Sequence, residues 1–325
     1  MVKSNAGRTL DRQRLGHLAK EYFLVIVVAL LIVVFSFLNQ NFLTGANIQN
    51  MLRQAAANVI ISIGMLAVVL TGGIDLSVGA TAGLAGVLVA GFIRDGMGAL
   101  SASLLVLVIG ILVGTFTGFL VVYMGLAPYI ASMSMMLIVT GIKLLYSHSL
   151  SISIDMSQSG FLMVGRGNFA SIPIPIWMMF VMTLIFQFVM SKTTYGRSLY
   201  ALGGNPEAAY LAGINSKFMT MSVYVISGFC SFVAGIMLAS RLASGSPSTG
   251  TGFDTNAIAS VVIGGGSLAG GRGKPMLVLF GAMVIAMLSN FLNLMGVQNY
   301  IQRIITGGII ILAVFISERT GTKKR

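Results

Sequence analysis

A single acidic side chain inside an uncharged stretch is the feature of this chain best suited to chemistry. Asp75 is the only charged residue between positions 54 and 93, and most of its neighbours are apolar. An ionisable residue at membrane depth marks a functional site by default. Irregular backbone is tolerated at that depth only inside protein or along a water-filled path. The break around Asp75 therefore supplies the first candidates for a translocation path, namely Gly72, Gly73, Asp75 and Ser77.

A second glycine-rich break lies far downstream, and it supplies the remaining path candidates, Gly264, Gly265, Gly266 and Ser267. Arg272 and Lys274 follow it closely, and basic residues favour the cytoplasmic side of a membrane. We therefore expect this break at the cytoplasmic mouth of the path. Asp254 is expected to cap the start of the same segment from the outer side.

Two roles are open for Asp75. Its carboxylate can accept a hydrogen bond that holds the glycine break, or it can contact cargo close to the path. Alternatively, Asp75 or Ser77 can cap the helix that follows, since Asp and Ser accept N–H bonds at helix starts. The turn made by Gly72 and Gly73, followed by a sequence typical of a helix start, favours the cap.

Enzymatic sites are not indicated. His17, His148 and Cys230 cannot assemble a metal site or a Cys–His pair. Residues 264–269 match a dinucleotide-binding fingerprint by letters, but no alternation of strands and helices surrounds them. The segment ending at Lys274 departs from a phosphate-binding loop. The chain is predicted to be a non-enzymatic subunit with no cofactor of its own.

The composition is that of a membrane protein. Of the 325 residues 56% are hydrophobic and only 9% are charged, whereas about a quarter of a soluble domain is charged. The mean hydropathy is +0.93. The net charge of +12 comes from basic residues at the ends of apolar segments, a pattern typical of membrane topology. It does not indicate a nucleic-acid partner; the expected surroundings are membrane lipid.

Apolar segments near 20 residues long predict the fold class. The fold is expected to be an all-α, polytopic membrane helix bundle of about 8–10 spans, some of them glycine-broken or re-entrant. Candidate spans are 22–38, 51–70, 76–93, 99–123, 129–146, 173–190, 218–240, 255–271, 275–296 and 300–317.

Charge asymmetry predicts the orientation. About 14 basic residues fall on one side of the bundle and 3 on the other, which makes the richer side cytoplasmic. The domains are then a cytoplasmic segment 1–21, one transmembrane domain 22–318, and a tail 319–325, with both termini cytoplasmic. Lys143 and Arg303 fall near outer helix ends, where long side chains can snorkel outward.

The cytoplasmic loop 191–217 is predicted to carry a short helix. Asn205 is a suitable N-cap, Pro206 suits the first helical position, and Glu207 lies in the first turn. Gly213 is expected to end the helix, and Gly203 with Gly204 is expected to form the turn before it. A rigid helix exposed between two spans is a plausible docking element.

Three motifs in order resemble the permease subunits of ribose-type ABC sugar importers. They are residues 70–79, residues 200–205 with 212–214, and residues 263–271. The resemblance covers the chain from about Phe42 to Ile316. It implies a pore-forming subunit in a bacterial inner membrane that imports a monosaccharide, with ribose the first choice.

The resemblance also implies partners. These are a second permease, identical or paired, and a cytoplasmic ATPase of two fused domains that binds ATP and Mg. A periplasmic or lipid-anchored binding protein would deliver the sugar. The loop from Gly203 to Gly213 resembles the coupling helix that sits in a groove of the ATPase, which assigns ATPase coupling to Gly203, Gly204, Asn205, Pro206, Glu207 and Gly213.

Other functions remain open. An ion-coupled secondary transporter would use Asp75 to carry a proton or sodium ion. Such a relay usually needs chained acids and histidines, and Asp75 is the only acid deep within a predicted span. Within the same family, the cargo could be another sugar, autoinducer-2 or a nucleoside.

Overall fold

A computed structural model describes residues 24–322 of the chain. The predicted segment 1–21 and residues 323–325 of the predicted tail lie outside these residues. The helices are α1 Leu24–Leu38, α2 Gly45–Leu70, α3 Val78–Arg94, α4 Ala99–Val122, α5 Pro128–Ser147, α6 Ser159–Arg166, α7 Ile174–Lys192, α8 Thr194–Gly204, α9 Pro206–Leu211, α10 Ser216–Leu242, α11 Phe253–Ile263, α12 Pro275–Leu294 and α13 Asn299–Thr322. The strands are β1 Ile152–Ser153, β2 Asn168–Phe169, β3 Ile172–Pro173 and β4 Ser244–Gly245.

The prediction of a polytopic helix bundle is confirmed. Six of the described helices are long and apolar enough to cross a membrane: α2, α4, α5, α7, α10 and α12. Helices α1, α3 and α11 are apolar but shorter. The protein is therefore a multi-pass membrane protein.

The predicted span 255–271 is wrong as a full span. Helix α11 has 11 residues and ends at Ile263, which gives a length of about 16 Å against a hydrocarbon core of about 30 Å. The apolar residues continue beyond Ile263, but the glycines that follow turn the backbone. The alternative of a half-length helix is the one observed.

Helix α2 forms the centre of the bundle. Every residue from Ala55 to Leu70 is buried, and a helix that is apolar on all sides must lie in a core or in lipid. Helices α7, α10, α11 and α12 pack against it. Helices α4, α5 and α7 keep large apolar side chains exposed, for example Leu100, Leu145 and Phe188. Such surfaces fit lipid contact.

Helices α4 and α10 approach each other closely at small residues. A Cβ on Gly114 of α4 would lie 2.3 Å from the Tyr224 carbonyl oxygen of α10, and a Cβ on Gly228 would lie 2.5 Å from the Gly110 carbonyl oxygen. Small residues let two membrane helices bring their backbones close together, and dispersion contacts between the backbones then stabilise the pair. Helix α10 also packs against α2 and α3.

Lys143 differs from its prediction. The side chain does not snorkel to the surface, since it is only 5% exposed. Its Nζ lies 2.9 Å from the point that a Cβ on Gly83 of α3 would occupy. The missing side chain of Gly83 provides the space for the ammonium group.

We predict that Gly114→Ala destabilises the protein, because the added methyl group must push α4 away from the α10 backbone. Overpacking of this kind costs about 1–3 kcal/mol. The matched control is Gly141→Ala on α5, where a Cβ meets nothing within 4 Å. Thermal unfolding of the purified protein in detergent should show a lower Tm for Gly114→Ala alone. Equal Tm values for both variants would contradict the close packing.

Candidate functional site

The first glycine break begins where α2 ends. The amides of Thr71 and Gly73 both donate to the Val68 carbonyl, and Gly72 has a φ of 78°. Residues with a side chain rarely adopt this φ, so glycine suits the position. A Cβ on Gly73 would lie 2.9 Å from the Tyr224 hydroxyl of α10. The turn is therefore tight and enclosed.

Asp75 is buried in this break and both its carboxylate oxygens are hydrogen-bonded. Oδ1 accepts the backbone amide of Ser77 at 3.0 Å and the Ser77 hydroxyl at 2.6 Å. Oδ2 accepts the Ser227 hydroxyl of α10 at 2.7 Å. The Ser132 hydroxyl of α5 donates to the Ile74 carbonyl at 3.1 Å. Two neighbouring helices thus hold the break through polar contacts.

The geometry bears on both roles predicted for Asp75. Ser77 is the N-cap residue of α3, and its own side chain makes no cap hydrogen bond. Asp75 accepts the amide of Ser77 itself, just before the helix. Its bond to Ser227 joins two elements 152 positions apart in sequence. The contacts are those of an acceptor that holds the break, and a role near the path stays a prediction.

The second break, residues 264–274, follows α11. Gly264 packs on α12, because a Cβ added to Gly264 would lie 2.8 Å from the Val278 Cα atom. The next residue, Gly265, is exposed. Gly266 is buried, and the amide of Ser267 donates to the Arg272 carbonyl at 3.1 Å. This bond folds the loop back on itself, and its glycines differ in burial.

The third segment contains the predicted short helix. The Asn205 side chain accepts the Ala208 amide as an N-cap, Pro206 and Glu207 form the first turn of α9, and Gly213 has a φ of 79°. These local predictions are confirmed. The predicted turn at Gly203 and Gly204 is wrong, because both residues belong to the last turn of α8.

The three segments meet at one place, which we call the glycine junction: residues 70–73, 203–204 and 269–271. A Cβ on Gly203 would lie 1.7 Å from the Leu70 carbonyl oxygen and 2.5 Å from the Gly271 amide nitrogen. The Gly271 amide donates to the Leu70 carbonyl at 2.9 Å. A Cβ on Gly270 would lie 3.0 Å from the Gly72 amide nitrogen. Three backbones are in direct contact because no side chain separates them.

Within the junction, Gly204 differs from Gly203 in the space around its Cβ position. A Cβ on this residue would meet nothing within 4 Å. The two neighbouring glycines Gly203 and Gly204 therefore form a matched pair, one enclosed by backbone and the other open.

Two polar side chains that the sequence did not single out support the junction. The Tyr200 hydroxyl of α8 donates to the Gly273 carbonyl at 2.5 Å, and burial raises the pKa of this phenol, so it remains a donor. The Gln187 side chain of α7 accepts the Met276 amide at the start of α12. Tyr200 lies inside one of the recognised motifs, whereas nothing local to Gln187 indicated its partner.

The junction offers contact between backbones and does not resemble a reaction centre. Within residues 24–322, no group of three or more His, Cys, Asp or Glu residues could hold a metal ion. What the arrangement can do is mechanical. Helix α8 contacts the C-terminal end of α2 and the loop after α11 through Gly203, so a displacement of α8 would press on both.

The contacts of Asp75 predict how its variants behave. Asp75→Asn keeps a side-chain oxygen and polar shape, so it should be mild. Asp75→Leu leaves the hydroxyls of Ser77 and Ser227 without their acceptor, and an unsatisfied buried group costs about 1–3 kcal/mol. Thermal unfolding and the yield of assembled protein measure the difference. If Asp75→Leu unfolds at the wild-type temperature, the break does not depend on these bonds.

Comparisons with known proteins agree with this architecture. Residues 47–314 match the family model described as "Branched-chain amino acid transport system / permease component". The chain is 37% identical to the ribose import permease protein of Haemophilus influenzae, covering 96% of this chain and 97% of that protein. It is 40% identical to the ribose import permease protein of Bacillus subtilis, over 94% and 93% of the two chains.

Other sugar permeases are also similar. The L-arabinose transport system permease protein of Escherichia coli is 31% identical, over 99% of this chain and 98% of its own. No solved structure matches the chain. Near-complete coverage at these identities is sufficient to assign a family. The chain belongs to the ribose-type permease components of ABC importers.

Proposed function

We propose that this chain is the translocation subunit of an ATP-driven importer of ribose in a bacterial inner membrane. The support for ribose is the identity of 37–40% to ribose import permeases over nearly the whole chain. The excess of basic residues at one side of the bundle supports cytoplasmic termini. In this orientation the glycine junction and the loop 191–217 lie toward the cytoplasm.

The partners are a second permease, a cytoplasmic ATPase that holds ATP and Mg, and an external sugar-binding protein. Helix α9 is the element that docks on the ATPase. In support, its capped start at Asn205 makes it a rigid element. Its Tyr210 and Leu211 are 73% and 79% exposed, large apolar side chains that a partner surface would cover.

The mechanism rests on the glycine junction. ATP binding displaces α9, and α8 follows because only Asn205 separates the two helices. Gly203 then pushes on Leu70 and Gly271, since no side chain lies between them. Both breaks, around Asp75 and after α11, change position together. This contact between backbones is the observation that carries the proposal.

Ion-coupled transport fits the geometry less well. The Asp75 carboxylate already accepts bonds from Ser77 and Ser227. Within the described residues no ion pair involves Asp75, and the one recorded joins Arg94 to Asp95. A proton relay normally needs a chain of titratable groups. The contacts of Asp75 serve structure rather than ion passage.

Reconstitution of the complete transporter in liposomes tests the proposed function. Ribose uptake should require external binding protein and ATP on the ATPase side, and dissipating ion gradients should leave it unchanged. Uptake that continues without ATP and follows a proton or sodium gradient would favour the secondary transporter. Faster uptake of allose or arabinose than of ribose, each with its own binding protein, would favour another cargo.

The matched glycines predict where coupling fails. Gly203→Ala should lower ribose uptake at least tenfold while ATP hydrolysis continues, because the added methyl group separates α8 from Leu70 and Gly271. Gly204→Ala should transport normally, since its Cβ meets nothing. Uptake and hydrolysis are measured in the same liposomes. Co-purification with the ATPase must be equal for both variants, and equal uptake by both would refute the junction as the coupling contact.

A further inference from the structure

An apolar cavity of about 510 Å³ lies between α4, α6, α7 and α10. Its apolar lining includes Leu107, Phe161, Val164, Met178 and Ile236. Leu100 also lines the cavity and is itself 75% exposed. The cavity therefore opens where α4 presents apolar side chains to lipid, and a hydrocarbon chain can enter it from the bilayer.

The edge of the cavity where α6 begins is polar. Ser157, Gln158 and Ser159 line this edge, and both serines are exposed. Met156 precedes them in the chain, and its sulfur atom lies 3.6 Å from the Arg166 Nη1 atom. The Arg166 side chain thus reaches from the end of α6 to the loop that borders the cavity, and it brings a positive charge close to the polar edge.

Two further arginines lie beside Arg166, and we call the three residues the arginine cluster. Arg53 of α2 donates from Nη2 to the Arg166 carbonyl at 3.3 Å, and Arg166 donates from Nε to the Arg241 carbonyl at 2.7 Å. Arg241 is half-buried near Arg53, and the two positive charges repel each other. Within residues 24–322 the one ion pair joins Arg94 to Asp95, so the cluster has no carboxylate within 4 Å.

Helix ends account for only part of this cluster. Arg166 and Arg241 lie in the last turns of α6 and α10, where carbonyl groups lack partners within the helix. Guanidinium donors stabilise such ends. The Arg241 guanidinium group, however, makes no hydrogen bond to any of the residues from 24 to 322. Three positive charges held together without an acid indicate that an anion binds there.

Aromatic side chains place the cluster at the depth of the lipid headgroups. Arg53 donates to the Asn168 side chain at 2.9 Å. The next residue, Phe169, packs edge-on against Trp177, with the ring centroids 6.1 Å apart. Both rings are exposed, and exposed tryptophan is typical of the interface between membrane and water.

We propose that a phospholipid of the outer leaflet binds here, with one acyl chain in the cavity and its phosphate group on the arginine cluster. The apolar lining suits the chain, and guanidinium groups donate well to phosphate oxygens. Arg166 is the exposed member of the cluster, and it makes the main contact. The inference goes beyond the proposed function, and only the choice of leaflet uses the orientation proposed above.

An acidic surface of the external sugar-binding protein is the alternative partner for the arginines. It would match their charge, but it leaves the neighbouring cavity without an occupant. Arg166 contacts the loop that lines the cavity, so charge and cavity belong to one site. A ligand with both an anionic and a hydrocarbon part satisfies the two together.

The test is native mass spectrometry of the purified, delipidated permease titrated with phosphatidylglycerol. One phosphatidylglycerol molecule per chain should bind more tightly than any further one. Diacylglycerol, which has the same chains and no phosphate, should bind about tenfold more weakly. Inorganic phosphate should not displace the phospholipid.

Two variants separate the charge from the cavity. Arg166→Gln should weaken phosphatidylglycerol binding about tenfold and leave diacylglycerol binding as in wild type. Its matched control is Arg94→Gln, which removes an exposed charge that is paired with Asp95, and it should bind both lipids normally. Ser103→Phe adds a ring to the cavity lining and should weaken the binding of both lipids. Ser101→Phe, on an exposed position of the same helix, should weaken neither.

Unchanged phosphatidylglycerol binding in either Arg166→Gln or Ser103→Phe would overturn the inference, because the site needs both the charge and the cavity. Displacement of the lipid by inorganic phosphate would show a site for a free anion and would also overturn it. So would an Arg166→Gln variant that loses affinity for the binding protein while it binds lipid as wild type does. Every lipid titration uses the isolated permease, whereas ribose uptake by the complete transporter tests the proposed function separately.

Discussion

The amide of Gly271 donates to the carbonyl of Leu70 across a distance of 2.9 Å, and Gly203 approaches both atoms from a third segment. This contact depends on Gly203 and Gly271, because a side chain on either residue would collide with the backbone of a neighbouring segment. Irregular backbone inside a membrane must be enclosed by protein, and its polar groups must be hydrogen-bonded. The contact meets both requirements. The turn after α2 and the loop after α11 cover each other in this way, and α8 covers both.

Helix α10 connects the enclosed breaks to the outer helices. Ser227 bonds to Asp75 in the first break, and the next residue, Gly228, rests on the Gly110 carbonyl of α4. A shift of the Asp75 break therefore presses on α10, which is in close backbone contact with α4. Close packing transmits displacement because the interior cannot be compressed. The function proposed here, in which a displaced α9 opens or closes a path, uses this property.

Local patterns were predictable from the sequence and long-range contacts were not. Hydropathy located the six long spans but overextended the segment 255–271, where α11 ends at Ile263. The order Asn205, Pro206 was sufficient to place the start of α9, because capping involves neighbours only. The consecutive glycines Gly203 and Gly204 predicted a turn, but tertiary packing keeps their backbone helical. Lys143 is buried because Gly83, on another helix, leaves a space. Likewise, Ser227 as partner of Asp75 depends on the fold and leaves no trace in either local sequence.

Hydrogen–deuterium exchange on the complete transporter tests most directly whether the three segments of the junction move as one unit. Peptides covering residues 66–73, 200–205 and 268–274 are followed with and without ATP bound to the partner. We expect slow exchange in all three without nucleotide, and a change in protection that appears in all three at the same nucleotide concentration. A change confined to the peptide of residues 200–205, with the other two unaffected, would contradict the account.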